Sequence, residues 1–201
     1  MDISNIYPLL VPSNYYSKGT WELPHQQLPD KDFLLTWVIF NAEGSMSYMT
    51  KSVYEELTLS HIGWQRQAFE NLRQSVAENE NFFTHQTLRE NGKGVKFLAF
   101  IHNDGIGSSR VLLGYELTNA FPNGYYIAFP DRSCGLVIPK DLTKNELSEI
   151  KQLVKSMYKN ATTPMSGEVH NSREFTLPDA WLAPLDEGYS NLITAEITKL
   201  K

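Results

Sequence analysis

The chain has 201 residues and a formal net charge of −5, with 41% hydrophobic and 20% charged residues. That length and balance suit one domain able to bury a full core without disulfides or metals. The acidic balance excludes a general nucleic-acid binder, which needs many Lys and Arg against phosphate.

Cys134 is the single cysteine, so an internal disulfide is excluded and a reducing compartment fits. The first residues, Met1-Asp-Ile-Ser-Asn-Ile-Tyr-Pro8, carry neither a basic stretch nor an apolar core of leader type. No apolar run reaches the length of a membrane span. A cytoplasmic protein without a membrane partner is therefore expected.

Residues 1–31 are rich in Pro, Tyr, Asn and Gln and lack a clear period. Pro8, Pro12, Pro24 and Pro29 are expected to break regular structure there. The aromatics Tyr7, Tyr15, Tyr16 and Trp21 point to an arm packed on the body, with residues 32–201 as a single domain.

Phe33 to Phe40 reads as a strand buried on both faces, and the turn Asn41-Ala-Glu-Gly44 leads into a second strand over Ser45 to Met49. Thr50 is placed to cap a short helix to Leu57, and Ser60 a longer one to about Val76. In the second helix Trp64, Ala68, Leu72 and Val76 mark the buried face, with Phe69 beside them, while Arg66, Glu70 and Arg73 fall on the wet side.

Phe82 to Arg89 and Val95 to Ile101 form a second hairpin around Asn91-Gly92, a strong tight-turn signal. Ser108 or Ser109 can cap a helix to about Ala120, stopped by Pro122-Asn-Gly124. A third hairpin pairs Tyr125 to Phe129 with Cys134 to Ile138. Thr143-Lys-Asn-Glu146 is a capping box. It opens a helix with Leu147, Ile150, Val154 and Met157 on one face. Arg173 to Leu177 reads as one more strand, and Asp179 to Lys201 has no clear assignment. Hairpin followed by helix, three times over, predicts an α+β fold: an antiparallel sheet built from successive hairpins, with amphipathic helices packed on it.

Four stretches carry a resemblance. They are Leu35-Thr-Trp-Val-Ile-Phe-Asn-Ala-Glu-Gly-Ser-Met-Ser-Tyr-Met49, Gln67-Ala-Phe-Glu-Asn-Leu-Arg73, Asn103-Asp-Gly-Ile-Gly-Ser-Ser-Arg-Val-Leu112 and Gly124 to Ile138. In order and spacing the chain resembles the YtpQ-like family of bacterial proteins over roughly residues 33 to 160. The resemblance implies the same fold and a bacterial origin. It carries no reaction, substrate or catalytic residue.

The segment Asn103, Asp104, Gly105, Ile106, Gly107, Ser108, Ser109, Arg110 follows a strand and opens a helix. It reads in two ways. Backbone N–H groups near Gly107 to Ser109 could cradle a phosphate or carboxylate, with Arg110 adding charge. Alternatively Asn103, Asp104 and Gly105 make a turn and Ser108 a cap. It is neither a Walker motif nor a dinucleotide fingerprint. Asp131, Arg132 and Ser133, at the tip of the third hairpin, would join Asp104 and Arg110 in a charged cluster if the tip lies near that loop.

His25, His61, His85, His102 and His170 are not spaced as metal ligands, and no metal or cofactor is expected. Cys134 reads as a small core residue rather than a nucleophile served by His102. Glu55-Glu56, Glu78, Glu80, Asp186 and Glu187 read as solvated surface. The missing catalytic constellation, together with aromatic residues suited to recognition, gives the leading expectation: a non-enzymatic protein-binding module. The alternative is a small anionic-ligand binder or enzyme using Asn103, Asp104, Gly105, Ser108, Ser109, Arg110 and Arg132.

Overall fold

A computed structural model describes residues 2–18, 23–78, 84–87 and 95–199. The chain folds as α+β with two antiparallel sheets. The strands are β1 (Ile6–Pro12), β2 (His25–Gln27), β3 (Phe33–Phe40), β4 (Met46–Tyr48), β5 (Thr84–Thr87), β6 (Lys96–Ile101), β7 (Tyr125–Asp131), β8 (Cys134–Pro139) and β9 (His170–Asn171). The helices are α1 (Lys51–Ser60), α2 (Trp64–Ala77), α3 (Gly114–Ala120), α4 (Lys144–Lys159), α5 (Asp179–Leu182) and α6 (Glu187–Thr198).

In the first sheet β3 is central. β1 pairs along one side of it, and β2 and β4 share the other. The second sheet runs β5-β6-β8-β7-β9. The three expected hairpins, β3–β4, β5–β6 and β7–β8, are all paired. The Asn91-Gly92 turn and Trp21 lie outside the described residues.

Alternation along the second sheet sorts its side chains into two cores. Leu98, Phe100, Ile127, Phe129 and Val137 join the large core with the first sheet and α2. Phe97, Ala99, Ala128, Leu136 and Ile138 form a smaller core with Ile150 and Val154 of α4. Cys134 belongs to this second core, and burial first, then the Asp131 charge, pushes its thiol up to about 12. It is a core side chain and no thiolate at neutral pH.

Four expectations are corrected. Pro8 and Pro12 do not break the N-terminal segment: both lie in β1, whose Leu9, Leu10 and Val11 are fully buried. The amide of Leu10 faces away from β3, toward Ser109. By the two-residue period those of Pro8 and Pro12 share that outer edge, where no ladder bond is lost.

Ser60 ends α1 rather than capping α2, which starts after Gly63 at φ +82°. Neither Ser108 nor Ser109 is a cap: both are buried in a 3₁₀ turn over Gly107–Leu112, and only then does α3 begin. Arg173 to Leu177 is not a strand. The two-residue β9 precedes a 3₁₀ turn over Ser172–Phe175. By contrast the Thr50 cap and the Thr143–Glu146 capping box form as expected.

Candidate functional site

The residues placed on the wet side of α2 organise one end of the molecule. Glu70 and Arg73 are buried, because α5 and α6 cover this flank of α2 as β1 covers another. The Arg73 guanidinium donates to Glu116 Oε1 at 2.6 Å, to Glu70 Oε2 at 2.6 Å and to the Leu182 carbonyl at 2.8 Å. Glu70 accepts the backbone N–H groups of Leu185 and Asp186. Arg66 donates to the carbonyls of Ala183 and Pro184. Ser190 of α6 donates to Glu116. Three side chains of one helix thus fasten the backbone of residues 182–186.

That fastened segment is one wall of a cleft of about 550 Å³. The rest of the lining comes from the end of the 3₁₀ turn and the start of α3, with Leu112, Gly114 and Thr118, from Tyr125 and Ile127 of β7, and from Phe175 and Leu177. Most of the lining is apolar. Of the two β7 residues Tyr125 is the polar one. Its phenol is pushed up to about 12, chiefly by burial, against the lowering effect of its hydrogen bond with Thr118, while the Glu116 charge raises it further. Tyr125 therefore stays a neutral phenol throughout the physiological range. Arg173 and Asp179, of opposite charge, are both exposed and lie among the lining residues.

The loop singled out in the sequence leads into this cleft but is differently employed. It does lie beside the tip of the third hairpin: His102 N–H donates to the Ser133 carbonyl and Ser108 N–H to the Arg132 carbonyl. Ser109 N–H goes to the Ile106 carbonyl and Ile106 N–H to Asp104 Oδ1. Ser109 Oγ accepts the Leu10 amide at 3.0 Å, tying the free edge of β1 to the turn. Ser108 Oγ contacts the Met165 sulfur. Arg110 is buried and grips Asp104 through both terminal nitrogens, at 3.2 and 2.5 Å. Gly105 adopts φ +83° against the Met46 side chain. Asn103 is exposed, and it borders a depression whose other lining is Asp131, Ser133, Asn160, Ala161, Thr162 and Thr163, with no cation among them.

The four charges of the expected cluster come to one end of the fold and separate there. Asp104 holds Arg110. Arg132 lies over the Tyr15 ring at 5.5 Å. Asp131 accepts from the Ser133 and Thr163 backbone and hydroxyl groups. Desolvation raises the Asp131 carboxyl, but these hydrogen bonds together outweigh it and hold the group below its ordinary value. A lowered native value stabilises the fold above the ordinary carboxylate pKa of about 3.9, and the gain is lost as pH falls through the native value. Asp131→Asn is therefore expected to lower the melting temperature near neutral pH, with the gap from wild type closing below about pH 4. A gap independent of pH would refute that linkage.

Two features escaped the sequence reading. One is the cleft, whose walls are drawn from segments some 60 residues apart. The other is a polar knot of Asp30, Ser166, His170 and Glu174. No helix among the described residues is long and apolar enough to cross a membrane. The fold defines an α+β chain with an open cleft beside its second sheet. Comparisons with protein-family models, with curated proteins and with solved structures find no match.

Proposed function

We propose that this protein acts by binding, and that the cleft beside β7 takes a small, mainly apolar molecule with a charged head group. The observation that carries this reading is the cleft itself. Its volume of about 550 Å³ falls within the range of small-molecule sites, roughly 300–1,000 Å³. Its lining offers a buried neutral phenol amid apolar side chains, and its Leu182–Ala183 stretch is anchored by Arg66 and Arg73. Preorganised walls lower the ordering cost of binding.

The 103–110 loop is the weaker candidate. Its amides at Ile106, Ser108 and Ser109 and both terminal nitrogens of Arg110 already have partners, so an anion there would have to displace them; the Arg110 Nε, which has no partner among the described residues, is itself buried.

Arg173 and Asp179 set the expected preference. In a thermal-shift and NMR titration with apolar carboxylates, apolar amines and apolar amino acids, Arg173→Ala is expected to weaken carboxylates by about tenfold, a charge-assisted hydrogen bond of ~1.5 kcal/mol. Asp179→Ala does the same for amines, and Tyr125→Phe weakens both. If no compound of either charge perturbs signals from Tyr125, Ile127 or Leu177, the reading fails.

A second reading, a protein-docking module, rests on the corner between α1 and α2. There Leu59 is 86% and Ile62 101% exposed. Isolated exposed apolar residues are ordinary, but two large ones at one corner suit an apolar contact with a partner. A Leu59→Ser, Ile62→Ser double variant should keep the fold and lose any captured partner. A partner retained by the variant would exclude this corner as its docking site.

A further inference from the structure

We propose that Asp30, His170 and Glu174 form a binding site for a divalent transition-metal ion of zinc type. The site goes beyond the cleft and does not depend on it.

The three residues come from two distant segments. Asp30 lies in the turn between β2 and β3. His170 is in β9, and Glu174 is in the 3₁₀ turn that follows. The Asp30 N–H donates to the Glu174 carbonyl at 2.9 Å, which brings the segments together. One ligand atom from each of the three side chains then lies within 4.8 Å of the others.

The donor set suits a borderline divalent ion. Two carboxylates balance its charge, and a neutral imidazole favours zinc-type metals over magnesium or calcium. His170 Nδ1 lies 3.1 Å from Asp30 Oδ2. Ligand bonds of about 2.0–2.1 Å would span that separation at roughly 100°, between octahedral and tetrahedral angles. No pair has to close by more than about 1.5 Å to reach tetrahedral spacing at those bond lengths. Glu174 is exposed, and while its Oε2 accepts the Asn171 amide at 3.3 Å its other carboxylate oxygen can turn to the ion.

The imidazole is already oriented. It stacks on Phe129 with ring centres 4.8 Å apart and planes 12° apart, and it meets Phe33 and Phe175 edge-on. On its far side Nε2 lies 2.9 Å from Ser166 Oγ. Metal-ligating histidines hold their second nitrogen in this way, and the partner fixes the tautomer. Without metal, Nδ1 can carry the proton toward Asp30 while Nε2 accepts from Ser166. Metal on Nδ1 places the ring proton on Nε2, which then donates to Ser166 Oγ.

The same contacts separate this knot from a hydrolytic triad, although the order Asp30–His170–Ser166 has that connectivity. Ser166 Oγ also accepts the Glu168 amide at 3.1 Å, and the ring is enclosed by three phenylalanines. Its neighbours Ser172, Arg173 and Phe175 line the cleft, so a bound ion would brace that wall.

The test uses the full chain, stripped with chelator and titrated with Zn²⁺ by calorimetry and with Co²⁺ by visible absorption. The expected result is one ion per chain, d–d bands from an imidazole–carboxylate site, and a melting temperature that rises with free metal. Glu174→Gln, at an exposed position, should keep the metal-free melting temperature and weaken binding at least tenfold. Ser166→Ala should weaken it about 10–100-fold without changing stoichiometry, as an outer partner does. No stoichiometric uptake by the wild type overturns the proposal, as does Zn²⁺ or Co²⁺ binding unchanged in both variants, which would mark adventitious surface binding. Neither readout involves the cleft ligand.

Discussion

Arg73→Ala is expected to cost about 3–5 kcal/mol of folding stability, the scale for removing one partner of a buried ion pair. The guanidinium is 1% exposed and satisfies two carboxylates and a carbonyl at once. Alanine leaves Glu70 and Glu116 buried without their shared counter-charge. Among the described residues Glu116 Oε2 already has no hydrogen-bond partner, so that carboxylate has little to fall back on. The loss is a large fraction of the 5–15 kcal/mol that holds an ordinary domain together. Were Arg73 on a solvated face, the same substitution would cost about 0–1 kcal/mol. Denaturant unfolding separates the two, and a cost below about 1 kcal/mol would refute the buried clamp. Arg73→Lys should fall between, since one ammonium keeps the charge but not the fork that serves three acceptors.

Gly107→Ala is expected to cost about 3 kcal/mol, the upper end of the range for overpacking a closed site. A methyl group there would stand 2.3 Å from the Ser133 carbonyl oxygen, 2.6 Å from its carbon and 2.8 Å from the His102 oxygen. These are backbone atoms and cannot rotate aside. The Ser133 oxygen also accepts the His102 amide at 2.9 Å, so moving it breaks a ladder-end bond. The glycine is needed for close approach of the 103–110 loop to the hairpin tip, and not for a left-handed φ. Gly63→Ala provides the contrast. It has open space but φ +82°, and should cost about 1–2 kcal/mol from backbone strain alone. Melting temperatures in which Gly107→Ala is the milder change would show that the loop and the tip can separate.

Local chemistry made much of this fold legible. The capping box at Thr143 and Glu146 involves neighbours in sequence, and the Phe33–Phe40 strand declares itself by an apolar run interrupted by Thr36 alone. Each marks its element without knowledge of the rest of the chain. What failed depended on partners far away. The period of α2 identified Trp64, Ala68, Leu72 and Val76 as buried, and they are. It assigned Glu70 and Arg73 to water because nothing local tells that a segment over 100 residues later supplies amides and carbonyls for them. Pro8 and Pro12 argue against a strand until the strand is known to be an edge. Ser109 resembles a cap because its hydroxyl has an acceptor role, but the amide it serves belongs to Leu10.

The candidate sites follow the same rule. Proximity of the 103–110 loop to residues 131–133 was conditional on the sheet order, which places β6 beside β8. His170 gave no signal of its own, because Asp30 lies 140 residues away.

The link between Leu10 and Ser109 also bears on the order in which the molecule assembles. Ninety-nine residues separate the two ends of that hydrogen bond, and the Glu70 clamp waits on residues 115 and 116 positions downstream. At translation rates of about 5–20 residues per second, roughly 5–20 s pass between synthesis of β1 and of the turn that seals its edge. During that interval the strand can pair with β3, while Pro8 and Pro12, which carry no N–H, blunt its outer edge and leave the Leu10 amide waiting for Ser109. Contacts so distant in sequence also slow the search for the native topology. The sealing of the β1 edge is thus a late event in the life of the chain, set by where Ser109 stands relative to Leu10.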